Sequence, residues 1–298
     1  MAGSLTNFLR EQLKKIDPTT QYSGRLPKIQ SSTGHAYFVK SGSPSELGQF
    51  VGEAQSLEAI ENAAPGLAPK LISHGRDAGG RPYFISEYKD LGGLSGSAAN
   101  VLAKRLATEL HQYKSQKGFG FDVPTFCGAT RQKNGWCETW EQCYDSMIGN
   151  LLEGLSTRGY DDLVKTGEKV REYHRTLKSI GQLNIQPVLL HGDLWSGNVG
   201  VDSSSGQPVI FDPSSYYGHN EAEAVSLAIA RIFGGFPQSF YDTYHQHCPK
   251  TEPVAQYGYR AQLYELYHYL NHTLLFGGGY ARSAQGIMNK LLEAAPGL

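Results

Sequence analysis

Apolar residues recur along this chain with two periods, and the changes of period mark out its elements. Leu5, Phe8, Leu9, Leu13 and Ile16 stand at helical spacing, and Asp17-Pro18 ends that helix. Tyr22-Ser23-Gly24-Arg25-Leu26-Pro27-Lys28-Ile29 predicts a turn leading into a short strand. After a second turn at Ser31 to Gly34, His35-Ala36-Tyr37-Phe38-Val39-Lys40 predicts another strand, which is hairpin chemistry. Ser43-Pro44-Ser45-Glu46 is a helix start. Leu47, Phe50, Val51, Ala54, Leu57 and Ile60 form one apolar face of the helix it opens, and Pro65-Gly66 closes it. Lys70 to Gly75 and Arg81 to Tyr88 predict two further strands around the turn Asp77-Ala78-Gly79-Gly80.

The Gly/Ser-rich stretch Leu91 to Ser97 then interrupts the pattern and is the best candidate boundary. Beyond it the helical period dominates, with helices expected at Ala98–Gln112, Trp140–Leu155, Tyr160–Ser179, Ala222–Phe233 and Ala261–Phe276. One hairpin interrupts them, Val199-Gly200-Val201 and Val209-Ile210-Phe211 around the turn Ser203 to Gly206. The order predicts an α+β chain in two parts, a strand-rich part over 1–89 and a mostly helical part over 90–298. Tyr257, Tyr259, Tyr264, Tyr267 and Tyr269 crowd the last expected helix and read as core packing.

The hairpin is flanked by chemistry. His191-Gly192-Asp193-Leu194-Trp195-Ser196-Gly197-Asn198 precedes it, and Ile210-Phe211-Asp212-Pro213 ends it. A His-x-Asp with an Asn five residues after the Asp, then an Asp at a strand end, is a phosphotransfer layout. One carboxylate orients or deprotonates a hydroxyl, while the Asn and the second Asp hold Mg²⁺ on ATP phosphates. His191 is expected to brace the loop. Lys40, at the end of the strand Tyr37-Phe38-Val39, can reach phosphates and pair with a helix glutamate. Glu53 falls on the apolar face and an acid there needs a partner, but Glu58 and Glu61 lie near the same face. Glu87-Tyr88-Lys89 sits where a hinge would offer backbone groups to adenine. Tyr22 to Lys28 holds one glycine and no G-x-G-x-x-G, so a phosphate-covering loop is weakly marked.

Composition narrows the partners. The 298 residues carry 27 basic and 28 acidic side chains, so no basic footprint points to nucleic acid. Cys127, Cys137, Cys143 and Cys248 lack C-x-x-C spacing, which argues against zinc and for a reducing compartment. His245-Gln246-His247-Cys248 is expected to be a polar loop before Pro249, not a metal site. Arg10, Glu11, Lys14 and Lys15 interrupt any signal-like apolar run, and no segment reaches the ~20 apolar residues of a membrane span. A cytoplasmic protein, with a monomer as the default state, is the expectation.

Leu190 to Asn198, together with Asp212-Pro213-Ser214-Ser215-Tyr216-Tyr217-Gly218-His219, resembles the fructosamine/ketosamine-3-kinase family. Phe233-Gly234-Gly235-Phe236-Pro237, Phe38-Val39-Lys40 and Tyr269-Leu270-Asn271-His272 add to the resemblance, which runs from about Tyr22 to near the C-terminus. It implies a bilobal protein-kinase-like fold, with a small N-terminal lobe of antiparallel sheet and one helix and a larger, mostly helical C-terminal lobe. It also implies ATP- and Mg²⁺-dependent phosphorylation of the C3 hydroxyl of ketosamines, the fructosamine or ribulosamine adducts on protein lysines or free amines, followed by loss of the adduct. Carried over, Asp193 is the proton acceptor, Lys40 and Glu53 the phosphate-holding pair, and Glu87, Tyr88 and Lys89 the adenine hinge. Asn198 and Asp212 are the Mg²⁺ ligands, Trp195 stacks on or walls the sugar, and His272 contacts it. Where some members carry a phosphate-loop cysteine that links two chains, Ser23 stands here, so insensitivity to oxidation at that loop is expected. An aminoglycoside or choline kinase and a nucleotide-binding pseudokinase are the alternatives. Trp195 and Tyr216 to His219 weigh against the first, and intact Lys40, Asp193, Asn198 and Asp212 against the second.

Overall fold

A computed structural model describes residues 2–177, 183–223 and 235–294. Helix α1 (Ala2–Ile16) leads into a five-stranded antiparallel sheet of β1 (Tyr22–Arg25), β2 (Lys28–Ser31), β3 (Ala36–Ser41), β4 (Leu71–Arg76) and β5 (Pro82–Glu87), ordered β1-β2-β3-β5-β4. Helix α2 (Leu47–Ala63) lies between β3 and β4 in sequence. Successive strand side chains point to opposite faces, and β3 and β5 use both. Val39, Tyr83 and Ile85 join Leu9 and Leu13 of α1 in one apolar cluster, while Phe84 packs with Phe50 of α2. The small lobe therefore carries two long helices, one on each face of the sheet, rather than one. That double cover explains why Pro82 to Ser86 are all buried.

The stretch Leu91 to Ser97 is built into the fold. Leu91–Gly92 forms β6, paired with β10 (Val199–Asp202), and the Ser95 hydroxyl accepts from the Ala98 amide to cap α3 (Gly96–Thr108). β7 (Phe126–Cys127) and β8 (Thr130–Arg131) form a short hairpin; β9 (Val188–Leu190) pairs with β12 (Tyr216–Gly218), and β10 with β11 (Pro208–Ile210). Around them pack α4 (Trp140–Ser156), α5 (Asp161–Leu177), α6 (Gln238–His247), α7 (Tyr257–Phe276) and α8 (Gly279–Ala294). The expected Ala222–Phe233 helix lies mostly outside the described residues. Ala98–Gln112 is not one helix: α3 ends at Thr108 and a 3-10 turn covers Leu110–Gln112. His245 to His247 close α6 instead of forming a loop. Tyr264 and Tyr267 are buried in the large core beside Trp140 and Tyr144, the packing role expected of that tyrosine-rich helix.

Candidate active site

Two adjoining cavities open between the sheet and the helical lobe. One, of about 290 Å³, lies under β5 and is walled by Phe38, Leu57, Phe84 and Phe211, with Glu87, Tyr88 and Lys89 along its edge. The other, of about 320 Å³, brings Lys40, Glu53, Asp193, Trp195, Asn198 and Asp212 to one space, with Phe126 and Gly128 on its far side. Glu53 and Asp212 line both cavities.

Strand alternation sends Lys40 to the α2 face of β3, opposite Phe84 in register. Its Nζ lies 2.8 Å from Glu53 Oε2 and 3.9 Å from Asp212 Oδ1. Of the three glutamates near the apolar face, Glu53 is thus the partner; Glu58 is exposed, and Glu61 accepts from the Gly66 amide. Burial works against the charge on Lys40, but Glu53 beside it holds the ammonium above its ordinary pKa. Burial pushes the Glu53 carboxyl up to about 7 against the pull of Lys40.

The loop after β9 is fixed from several sides. His191 is fully buried; its Nε2–H donates to the Phe211 carbonyl at 3.0 Å, while Nδ1 accepts from the Asp193 amide at 3.3 Å. Burial lowers the pKa of this imidazole, which suits the neutral tautomer those bonds require. His191 is therefore a brace. Gly192 has φ 86°, and a Cβ there would collide with the Ser214 carbonyl, so the turn admits glycine alone. The Gly192 amide donates to Glu223 Oε2 at 2.8 Å, a buried contact the sequence did not flag.

Asp193 faces the cavity at the end of this loop. Burial raises its carboxyl to about 6, opposed by a hydrogen bond from Cys127 and assisted by the nearby charge of Asp212. Asn198 Nδ2 donates to the Asp193 carbonyl at 2.8 Å and approaches Oδ2 at 3.5 Å, closing the loop on itself. Asp212, two residues past the end of β11, is the one non-glycine residue with positive φ, 53°, among the described residues. Such a backbone costs of order 1 kcal/mol or more and aims the carboxylate into the cavity instead of along the strand. The Trp195 ring stands over Gly197, where any Cβ would strike it.

Not every expected residue converges. His272 on α7 gives its Nδ1 to the His268 carbonyl at 2.7 Å and packs against Phe276 and Tyr280; it lines neither cavity. Its expected sugar contact is not supported by this placement, because the helix turns its ring toward α8. At the expected hinge the Tyr88 amide already donates to the Ala36 carbonyl at 3.0 Å, so that group belongs to the sheet. Phe126 and Cys127 were missed: their β7–β8 hairpin enters the site from far away in sequence and carries no motif of its own.

Comparison with known proteins agrees with this geometry. The family profile described as fructosamine kinase matches residues 13–294. The chain is 39% identical over 295 residues to protein-ribulosamine 3-kinase, chloroplastic, of Arabidopsis thaliana, covering 97% of this chain and 86% of that protein. It is 38% identical over 285 residues to ketosamine-3-kinase of Mus musculus, covering 85% and 87%. A crystal structure assigned as a fructosamine-3-kinase, from Thermobifida fusca, superposes with a TM-score of 0.78 at 23% identity over 97% of this chain and 99% of that one, a likeness of fold. With a profile spanning nearly the whole chain and relatives well above 30% identity, the chain belongs to the fructosamine kinase family.

Proposed function

We propose that this protein transfers the γ-phosphate of ATP to the C3 hydroxyl of a ketosamine, a fructosamine or ribulosamine adduct on a protein lysine or a free amine, so that the adduct is subsequently lost. The observation that carries the reading is a basic carboxylate, Asp193, facing one cavity with Lys40, Asp212 and an indole wall. The named activities of the Arabidopsis and mouse relatives supply the acceptor class.

Adenine fits the apolar cavity between Phe38, Leu57 and Phe211, with the Glu87 carbonyl, which also accepts from the Ser86 hydroxyl at 3.3 Å, and the Lys89 amide toward its edge. Lys40, steadied by Glu53, reaches the phosphates. Asn198 and Asp212 would hold Mg²⁺. A carboxylate and an amide oxygen are hard donors, and two of them suit a cation that completes its shell with phosphate and water. The Asp212 side chain is 58% exposed and faces the cavity, as such a ligand must. When bound, the metal neutralises phosphate charge during transfer.

Asp193, ionised above about pH 6, accepts the proton of the acceptor hydroxyl as that oxygen attacks phosphorus. Trp195 walls the sugar opposite Phe126. We place the lobe boundary at Lys89–Asp90, beside the short strand β6, and read the protein as cytoplasmic and monomeric. No helix among the described residues is long and apolar enough to cross a membrane. The test is ADP release by the purified protein with ATP, Mg²⁺ and either ribulosyl-lysine, fructosyl-lysine or unmodified lysine. Release only with a ketosamine supports the reading; equal release without one, or none with either, removes it.

A further inference from the structure

Asp193 is gripped from a second side by residues that line neither cavity. Cys127, 3% exposed at the end of β7, places Sγ 3.6 Å from Asp193 Oδ1, within reach of a thiol hydrogen bond. The other carboxylate oxygen, Oδ2, faces Asn198 Nδ2 at 3.5 Å. The carboxylate thus sits between two donors, one on each oxygen.

Cys127 is itself anchored. Asn271, 1% exposed in the middle of α7, donates from Nδ2 to the Cys127 carbonyl at 3.2 Å. Cys127 pairs with Thr130 across the β7–β8 hairpin, and its neighbour Phe126 abuts Gly48 of α2. Asn271 belongs to the stretch Tyr269-Leu270-Asn271-His272, whose histidine lines neither cavity. The asparagine gives that stretch a connection to the reacting centre.

A buried cysteine is ordinarily a small apolar filler. A filler has no reason to direct its sulfur at a carboxylate. Burial, and then the charge of Asp193, hold the Cys127 thiol well above its ordinary pKa, so it keeps its proton and donates.

We propose that Cys127 is a positioning residue: its thiol, set by Asn271 through the Cys127 carbonyl, orients the Asp193 carboxylate toward the acceptor hydroxyl. This rests on Asp193 being the proton acceptor. A carboxylate free to rotate spends less time aligned with the hydroxyl, which slows the chemical step and leaves substrate binding alone.

The experiment compares Cys127→Ala and Cys127→Ser with wild type in kcat, in KM for ATP and for ribulosyl-lysine, and in urea midpoint. Loss of one weak donor to a charged acceptor should lower kcat of Cys127→Ala about tenfold, with each KM within about twofold. Cys127→Ser, which keeps a donor, should recover most of the rate at an unchanged or lower urea midpoint. Wild-type kcat in Cys127→Ala overturns the proposal. So does a Cys127→Ser variant as slow as Cys127→Ala with both KM values raised, since packing alone would do that. Should wild type leave both ribulosyl-lysine and fructosyl-lysine untouched, the functional reading fails. The same variants are then compared in basal ATP hydrolysis, where the same loss and rescue are expected and their absence overturns the proposal.

Discussion

A carboxylate that takes a proton from a hydroxyl must be buried enough to be basic and yet ionised at neutral pH. Asp193, raised to about 6, satisfies both. Asp193→Asn keeps the shape and removes the base. Turnover should fall by about 10²–10⁴-fold while ATP binding, measured by calorimetry, stays within a few-fold of wild type; near-normal ADP release would remove Asp193 from its role. Gly197 tests the neighbouring indole. A methyl there drives the Trp195 ring away, so Gly197→Ala should raise KM for the ketosamine several-fold and leave KM for ATP unchanged; a parallel rise in both would mean that the whole loop had moved. His191, Asp193, Asn198 and Asp212 were legible because short, fixed spacings place them around one hairpin. Glu53 was legible only as one of three, since a helical wheel reports a face and not what lies across it. Cys127 was not legible at all: its contact with Asp193 spans 66 residues and is made by a residue type that usually only fills space.

Helix α2 shows what a pattern of large apolar residues hides. Its opposite stripe is Gly48, Gly52 and Ser56, spaced by four and therefore stacked on one face. Gly48 meets the Phe126 ring, Gly52 lies against the Pro124 carbonyl and Thr125, and Ser56 Oγ accepts from the Ser215 amide at 3.0 Å. Glycines in a helix read as weaknesses in sequence; here they let α2 lie directly on the backbone that carries Cys127 and on the segment after Asp212. That contact fixes the height of Glu53 and, through it, of Lys40. A Cβ on Gly52 would come 2.8 Å from the Pro124 carbonyl, a backbone atom that cannot rotate away. Overpacking of this kind costs about 1–3 kcal/mol, against a helix-propensity gain of about 1 kcal/mol, so Gly52→Ala should be destabilising and should also lower kcat as Glu53 shifts. Gly286→Ala on α8, where nothing lies within 4 Å, should show the propensity gain alone. Equal urea midpoints for the two variants would contradict the docking of α2. The Gly/Ser stretch at Leu91 hides an element for a related reason: β6 is held by main-chain pairing, which residue pattern does not record.

At the scale of the whole molecule, the helical lobe rests on polar groups buried far from the cavities. Arg260 and Glu221 form a bidentate pair at 2.6 and 3.0 Å, 2% and 1% exposed, and beside them His219 bridges Tyr264 at 2.7 Å and Thr251 at 2.8 Å. Burial pushes the His219 imidazole down to about 4, with Glu221 opposing and Arg260 assisting. The consequence for folding has a definite sign. Between about pH 6.5 and 4 the unfolded chain binds a proton at this position and the folded chain does not, so stability falls as pH falls through that window and levels off below it. A shift of this size corresponds to about 3 kcal/mol when fully expressed, and to about 2 kcal/mol between pH 7 and 5, a large share of the ~5–15 kcal/mol that holds a domain folded. His191, also buried and shifted down, adds in the same direction. Glu53 and Asp193, raised by burial to about 7 and about 6, act in the opposite sense over the same range, so the quantity to measure is the difference between wild type and a His219 variant in urea unfolding at pH 7 and pH 5. His219→Gln has no proton to gain, keeps an amide that can reach Thr251 or Tyr264, and should lose about 2 kcal/mol less over the same interval whatever its stability at pH 7. A pH dependence identical to wild type would mean that His219 is protonated within the fold. The polar cluster around Arg260 would then be organised around a charged imidazolium.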